Sequence, residues 1–366
     1  MFFADVFKTS ELEEYLAAMQ QPFPELTYLW LWWKDEIGTL VVPDSFLGGF
    51  APRLEVIDLE GIPFPGLPKL LLSATHLVHL YLQNIPHSGY FSPDAMVAAL
   101  STMTSLEELL LRLKSPESCP DLETRRLPPS PRSVLPVLKS VEFKGASEYL
   151  EDLVTDIDAP QLERLDITFF NDVLFDTPHL SQFIGRTPIL NAFENAYIFL
   201  ANSTACVAFR SPIDCYVQLK VAILCEGSDW QLSSVEQVCT SCFQLPFLST
   251  LKGLYVFERI FSSVDWKDNI EYRVWRELLY PFTSVKNIYI SDEFALGIGP
   301  ALQELVKGRA ATEVLPTLEN IFLKGLKSSG HVQEGIGQFV AARQVSSHPV
   351  TVSDWEDWRK VTGSYY

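Results

Sequence analysis

The chain has no run of about 18 or more apolar residues, the length a membrane-spanning helix requires, so no membrane span is expected. It is also short of positive charge. Its 28 Lys and Arg stand against 46 Asp and Glu, a net charge of −18 and a pI near 4.7, so nucleic acid and anionic membrane would be repelled overall. The six cysteines (Cys119, Cys206, Cys215, Cys225, Cys239 and Cys242) have no framework spacing. Cys239-Thr-Ser-Cys242 is half of a zinc motif without a second pair, so the thiols read as buried or incidental and no metal is expected. Met1-Phe-Phe-Ala-Asp-Val-Phe-Lys8 lacks the basic start and apolar length of a secretory signal. Asn202-Ser-Thr204 is then a chance match to a glycosylation acceptor, and the expected compartment is cytoplasm or nucleus.

Catalytic motifs are missing as well. His76 and His79 have metal-like spacing only on a helix, and His79 falls in a strand phrase. Gly297-Ile-Gly299-Pro300 and Gly335-Ile-Gly337 lack the further glycine or the Lys-Ser/Thr of a phosphate-binding loop. There is no G-x-S-x-G elbow, and Asp156 and Asp158 read as solvated turn residues. The chain is expected not to be an enzyme and to need no cofactor.

What is present is a recurring phrase: apolar, two others, apolar, one other, apolar. It reads Leu26-Thr-Tyr-Leu29-Trp-Leu31, Leu54-Glu-Val-Ile57-Asp-Leu59, Leu77-Val-His-Leu80-Tyr-Leu82 and Leu106-Glu-Glu-Leu109-Leu-Leu111. It continues as Leu138-Lys-Ser-Val141-Glu-Phe143 and Leu162-Glu-Arg-Leu165-Asp-Ile167, then returns at Leu251, Val285 and Leu318. This is the strand signature of a leucine-rich repeat. One such unit cannot bury its apolar edge alone, whereas a stack can. The expected fold is therefore an α/β leucine-rich-repeat solenoid, a curved parallel sheet on the concave side and helices on the convex side. Steps within the two runs are 23 to 34 residues. The gap between Leu162 and Leu251 leaves room for two weaker units, one from Leu190 through Phe193, Ala196 and Ile198, the other across Tyr216 to Ile223. That makes about eleven irregular units.

Helix signals lie between the strands. Ser10-Glu-Leu-Glu13 is a capping box, and Ser92-Pro93 is a cap followed by a first-turn proline. Pro178, Pro300 and the Trp275/Leu278/Leu279 set mark further helices, as does the stretch from Ile336 to Ala342. Residues 1–23 are expected to form a capping helix region, 24–334 the repeat array and 335–366 a C-terminal cap. A proline-rich loop interrupts the array at 114–133.

The pleat assigns a face to each side chain, because alternate residues of a strand point to opposite sides. With the apolar positions in the core, the residue between the last two faces the concave surface. That column reads Trp30, Asp58, Tyr81, Leu110, Glu142 and Asp166, then Tyr255, Tyr289 and Phe322, with Tyr197 and Phe199 in the irregular unit. Flanking columns add Tyr28, Trp32 and Phe257. Tyr28, Trp30, Trp32, Tyr81, Tyr255, Phe257, Tyr289 and Phe322 are therefore the candidate partner-binding residues, since exposed aromatics are what protein interfaces use. Two other readings stay open: aromatics suit strands in any case, and loops could fold over them.

Several phrases resemble a family of F-box-like leucine-rich-repeat proteins from mushroom-forming fungi. They are Phe23-Pro24-Glu-Leu26, the stretch from Val42-Pro43-Asp44 to Arg53-Leu54, Leu67-Pro-Lys-Leu through His76-Leu77, Trp266-Lys-Asp-Asn-Ile270, and Gly335-Ile-Gly to Arg343. The resemblance implies the substrate-holding part of a cullin-type ubiquitin-ligase adaptor, with a protein substrate on the concave face and a Skp1-like protein on the F-box. The residues before Pro24 hold one capped helix and no Leu-Pro opening, so the F-box itself is expected to be absent from this chain, which makes the Skp1-like partner doubtful. The alternative is a stand-alone scaffold or decoy. The chain also departs from the usual Asn or Cys that closes each repeat strand, having Lys34, Ile62, Ile85, Lys114, Ala146 and Phe170 in that place.

Overall fold

The computed structural model describes residues 2–6, 9–33, 41–119, 132–170, 177–201, 204–211, 217–225, 233, 235–237, 246–258, 272–307, 313–324 and 330–355. Most of the proline-rich loop, the Cys239/Cys242 pair and the Trp266–Ile270 phrase lie outside them. The chain divides into two compact units, Met1–Asp172 with Asp176–Ile189, and Val173–Phe175 with Leu190–Tyr366.

In the first unit the phrases become parallel strands. β1 (Phe2–Val6), β2 (Tyr28–Trp33), β3 (Val56–Glu60), β4 (His79–Ile85) and β5 (Glu108–Leu113) follow one another in the sheet. β7 (Ser140–Gly145) and β9 (Arg164–Phe169) come next in it. Every neighbouring pair is parallel, and the second apolar residue of each phrase falls in one row: Leu29, Ile57, Leu80, Leu109, Val141 and Leu165. β1 carries no such phrase, which is why the sequence pattern shows a helix in this region and not the strand before it. β6 (Ser133–Val134) and β8 (Ile157–Asp158) pair in a separate small sheet.

The register has a backbone cause. The amides of Glu55 and Val56 both donate to the carbonyl of Thr27, at 2.8 and 3.1 Å. Val78 and His79 do the same to Glu55, Glu107 and Glu108 to Val78, Lys139 and Ser140 to Glu107, and Glu163 and Arg164 to Lys139. Each strand is thus seated on its predecessor before its side chains begin to alternate. At the far end of the strands, the backbone replaces the missing Asn or Cys. Lys114 N donates to Ile85 O at 2.9 Å and Phe170 N to Gly145 O at 3.1 Å, while Ile62, Ile85 and Ala146 are buried as apolar residues. Gly61 turns the chain after β3 with φ of 71°, and a Cβ there would stand 2.4 Å from the Trp33 carbonyl, so only glycine fits.

The helices of this unit are α1 (Thr9–Ala18), α2 (Leu67–Leu71), α3 (Pro93–Leu100), α4 (Ser147–Thr155) and α5 (Pro178–Arg186). Ser92 caps α3 through its hydroxyl to Ala95 N, as the Ser-Pro pair predicts. α2 packs on α3, α3 on α4 and α4 on α5, and α4 also packs on β7. α5 is capped from the preceding repeat: the buried Glu151 carboxylate accepts from His179 N at 2.9 Å and Leu180 N at 2.8 Å. A carboxylate at a helix N-terminus meets both unpaired amides and the positive end of the dipole.

The second unit differs from the expected repeat stack at its start. β10 (Asn195–Ala201), β11 (Thr204–Arg210) and β12 (Leu219–Leu224) form an antiparallel meander, in the sheet order β12-β11-β10. The two weaker units of the sequence reading are instead this meander, and β11 was not anticipated. Its five consecutive buried residues, Ala205 to Phe209, lack alternation because both faces are covered, so periodicity alone has nothing to detect. From β10 onward the sheet is parallel, with β13 (Gly253–Glu258), β14 (Asn287–Ile290), β15 (Asn320–Leu323) and β16 (Thr351–Asp354). The same double-amide seating recurs, Lys286 and Asn287 on Lys252 O, then Glu319 and Asn320 on Lys286 O.

Helices α6 (Tyr272–Leu279), α7 (Asp292–Lys307) and α8 (Gly330–Val345) follow. α7 opens at Asp292, so Pro300 sits inside it and not in its first turn. The paired glycines gain a packing role here. A Cβ on Gly335 would lie 2.5 Å from the Gly299 carbonyl, which lets α7 and α8 approach closely.

Two substitutions test this architecture. Leu165 is 1% exposed, and Leu165→Ala should cost roughly 2–5 kcal/mol in chemical denaturation. Glu151→Ala strips the acceptor from two α5 amides, one of its bonds being fully buried, and should cost about 1–3 kcal/mol. Parent-like stability in the first variant would count against the repeat register, and in the second against the cross-repeat cap.

Candidate functional site

In the first unit, strands β2, β3, β5 and β7 alternate strictly between buried and half-exposed residues. One face of the sheet is the core. The other displays, in register, Trp30, Asp58, Tyr81, Leu110, Glu142 and Asp166, all partly exposed. Tyr28 and Trp32 flank Trp30 on β2 and are also partly exposed. These are the sequence-derived candidates of this unit, and the sheet brings them to one surface.

Polar groups organise that surface. Tyr81 donates its hydroxyl to the Glu108 carboxylate, and His79 Nδ1 lies 3.7 Å from the same group. The Tyr81 phenol is held well above its usual pKa, first by burial and then by the bond to Glu108. The His79 ring stacks on Tyr81 at 5.8 Å. Arg112 donates to Glu142 through Nε at 2.7 Å, Arg164 stands 3.6 Å from Asp166, and Lys144 lies 5.8 Å over the Phe170 ring. The charged centre is thus largely paired with itself.

The aromatic column of the second unit is a stack. Tyr197 and Tyr255 are 4.7 Å apart, Tyr255 and Tyr289 4.2 Å, and Tyr289 and Phe322 4.6 Å, with rings within 13° of parallel. Neighbouring parallel strands are about 4.8 Å apart, so identical positions on successive strands place rings at stacking distance. Phe199 and Phe257 form a second rung at 5.9 Å.

This face is not the wet surface that its pleat position implies. Tyr197 is 3% exposed, Phe199 9% and Phe257 5%, and they form a buried cluster with Cys206, Ala208 and Ala222, against which Tyr255 packs. Trp355 lies across the column, 6.0 Å from Tyr255 and 5.4 Å from Tyr289, and is itself buried. Burial is also the first cause that pushes the Tyr255 phenol up, followed by the charges of Tyr289 and Tyr197. Phe257 is therefore withdrawn from any open surface. Tyr255, Tyr289 and Phe322 remain partly exposed beside a tryptophan from beyond β16. Trp355 was missed because it lies far along the chain, outside any repeat phrase.

Among the described residues no three His, Cys, Asp or Glu side chains stand close enough to hold a metal ion, and no helix is long and apolar enough to cross a membrane. His79 lies in β4, apart from the turn that carries His76.

No family model matches the chain, and no curated protein matches it. Among solved structures it is similar to the leucine-rich-repeat-containing protein LegL7 from Legionella pneumophila, at 11% identity and a TM-score of 0.33, over 92% of this chain and 97% of that one. The repeat character described above rests on this chain's own phrase and strand register.

The cover over the stack is testable. Trp355→Ala should raise the solvent accessibility of Tyr255 and Tyr289, read by acrylamide quenching of tyrosine fluorescence, and lower stability by up to roughly 3–5 kcal/mol. Unchanged quenching would show that the cover lies elsewhere.

Proposed function

We propose that this chain is a non-catalytic protein-interaction module that receives its partner on the half-exposed face of the first unit's parallel sheet. The observation that carries the reading is one surface on which Trp30, Tyr81 and Leu110 share a register column, with Tyr28 and Trp32 flanking Trp30 on β2, opposite a buried face. Large rings held on rigid strands lose little conformational freedom on binding, and such residues dominate interface energetics. The self-paired charges around Arg112, Glu142, Arg164 and Asp166 would set orientation and reject wrong partners more than add affinity. Tyr289 and Phe322 are a lesser candidate surface, because Trp355 and the buried cluster take up much of their column.

The resemblance to F-box-like repeat proteins supports a narrower version, in which the partner is a substrate of a cullin-type ubiquitin ligase. A stand-alone scaffold is the alternative. Capture of a Skp1-like protein by the chain favours the first, and its failure favours the second.

Proximity labelling in the source cells, comparing the parent with Trp30→Ala/Tyr81→Ala, tests the interaction face. With folding verified by circular dichroism, the double variant should lose its specific partners. Against a purified partner, loss of one hot-spot ring should weaken binding by about 30-fold, the equivalent of about 2 kcal/mol. A folded variant with an undiminished partner set would remove this face from consideration.

A further inference from the structure

On the first unit's open face Arg112 pairs with Glu142 and Arg164 with Asp166, whereas Asp58 and Glu60 have no ion-pair partner among the described residues. They are alternate residues of β3 and so share a face. Each accepts from a neutral amide: Gln83 Nε2 to Asp58 Oδ1 at 3.3 Å, and Asn84 Nδ2 to Glu60 Oε1 at 3.0 Å. Asn84 reaches Glu60 from the bulge of β4, where its φ is 51°, a region Asn tolerates. The Trp30 side chain also hydrogen-bonds Asp58. Arg112 is linked to Asp58 through Gln83, whose Oε1 it meets at 3.5 Å. Among the described residues neither carboxylate has an ion-pair partner. The result is electrostatic: burial, with added repulsion from Glu60, holds the Asp58 carboxyl above its usual pKa.

The surroundings of these carboxylates are aromatic. Trp30 is the register partner of Asp58 on one side and Tyr81 on the other, while Trp32 pairs with Glu60. All are partly exposed. We infer that the Trp30–Asp58–Tyr81 row, with Trp32 and Glu60 beside it, is a recognition notch for an arginine side chain presented by an extended segment of a protein partner. The inference rests on the interaction reading above and names the chemistry of that partner.

Four physical reasons favour a cation here, the first two of them arginine in particular. A guanidinium is planar and stacks on an indole face, the strongest of the aromatic cation acceptors. Its fork of donors matches a carboxylate, and Asp58 and Glu60 both offer one. A cation seated there also removes the repulsion between the two carboxylates, so its charge relieves a cost already present in the free protein. The net charge of −18 attracts basic segments over longer range.

The experiment uses the full chain with 5-fluorotryptophan, the Trp30 and Trp32 signals being assigned by single Trp→Phe variants. The probe is a short serine-glycine peptide with one central arginine, with citrulline and lysine counterparts. The arginine peptide should shift both signals saturably and bind less well as salt rises. The lysine peptide should bind more weakly, and the citrulline peptide should leave the signals unmoved. Asp58→Asn, folded by circular dichroism, should weaken the arginine peptide by at least about tenfold. Equal shifts by citrulline, or an unchanged Asp58→Asn, would overturn the arginine inference while leaving the interaction face intact. If no peptide moves either signal, the inference also fails. The interaction reading then stands or falls separately, by whether partner labelling depends on Trp30 and Tyr81.

Discussion

At each junction between phrase strands, two consecutive amides converge on a single carbonyl of the preceding repeat, as Glu55 and Val56 do on Thr27. Much else depends on that seating. It sets the register, and in a sheet a slip of one residue would turn every side chain to the opposite face. It therefore places Leu29, Ile57, Leu80, Leu109, Val141 and Leu165 in one buried row, and by the same step sends Trp30, Asp58 and Tyr81 to the open side. The core and the candidate site are two consequences of one backbone constraint.

The rest of each repeat reinforces the junction. Helix packing follows strand packing, and Glu151 ties α4 to the first amides of α5 across a repeat boundary. Exposed ion pairs such as Lys139–Glu107 and Lys286–Glu319 run along the strand entries, but pairs this open contribute little each. Closure of the strands by backbone bonds also explains how the chain dispenses with the usual Asn or Cys. The amide of Lys114 or Phe170 finds a carbonyl in the preceding repeat, and the side chain is left to chance or to packing.

The two aromatic surfaces acquire different characters from the same pleat rule. In the first unit the rings of Trp30 and Tyr81 flank a carboxylate, Asp58, and the row stays partly exposed. In the second, rings stack on rings, which makes the column apolar enough to be covered, as Tyr197, Phe257 and Trp355 are. Stacked rings one strand apart are worth about 0.5–1.5 kcal/mol each beyond their burial, so this column contributes to the fold whether or not a partner meets it.

The phrase L-x-x-L-x-L determined the parallel strands, their spacing and the face of every residue within them, because apolar alternation and the sheet pleat are both local properties. Ser92-Pro93 likewise announced α3 through a cap that depends on four adjacent residues. Tertiary structure alone decided the rest. The β10–β12 meander needs pairing between segments whose apolar runs do not alternate, and a strand covered on both faces leaves no periodic trace. The placing of Trp355 over Tyr255 and Tyr289 joins residues far apart in the chain. So does the contrast between Glu142, which accepts from the Arg112 guanidinium, and Asp58, which accepts from the neutral Gln83 amide: both occupy the same column, and side chains from neighbouring repeats distinguish them.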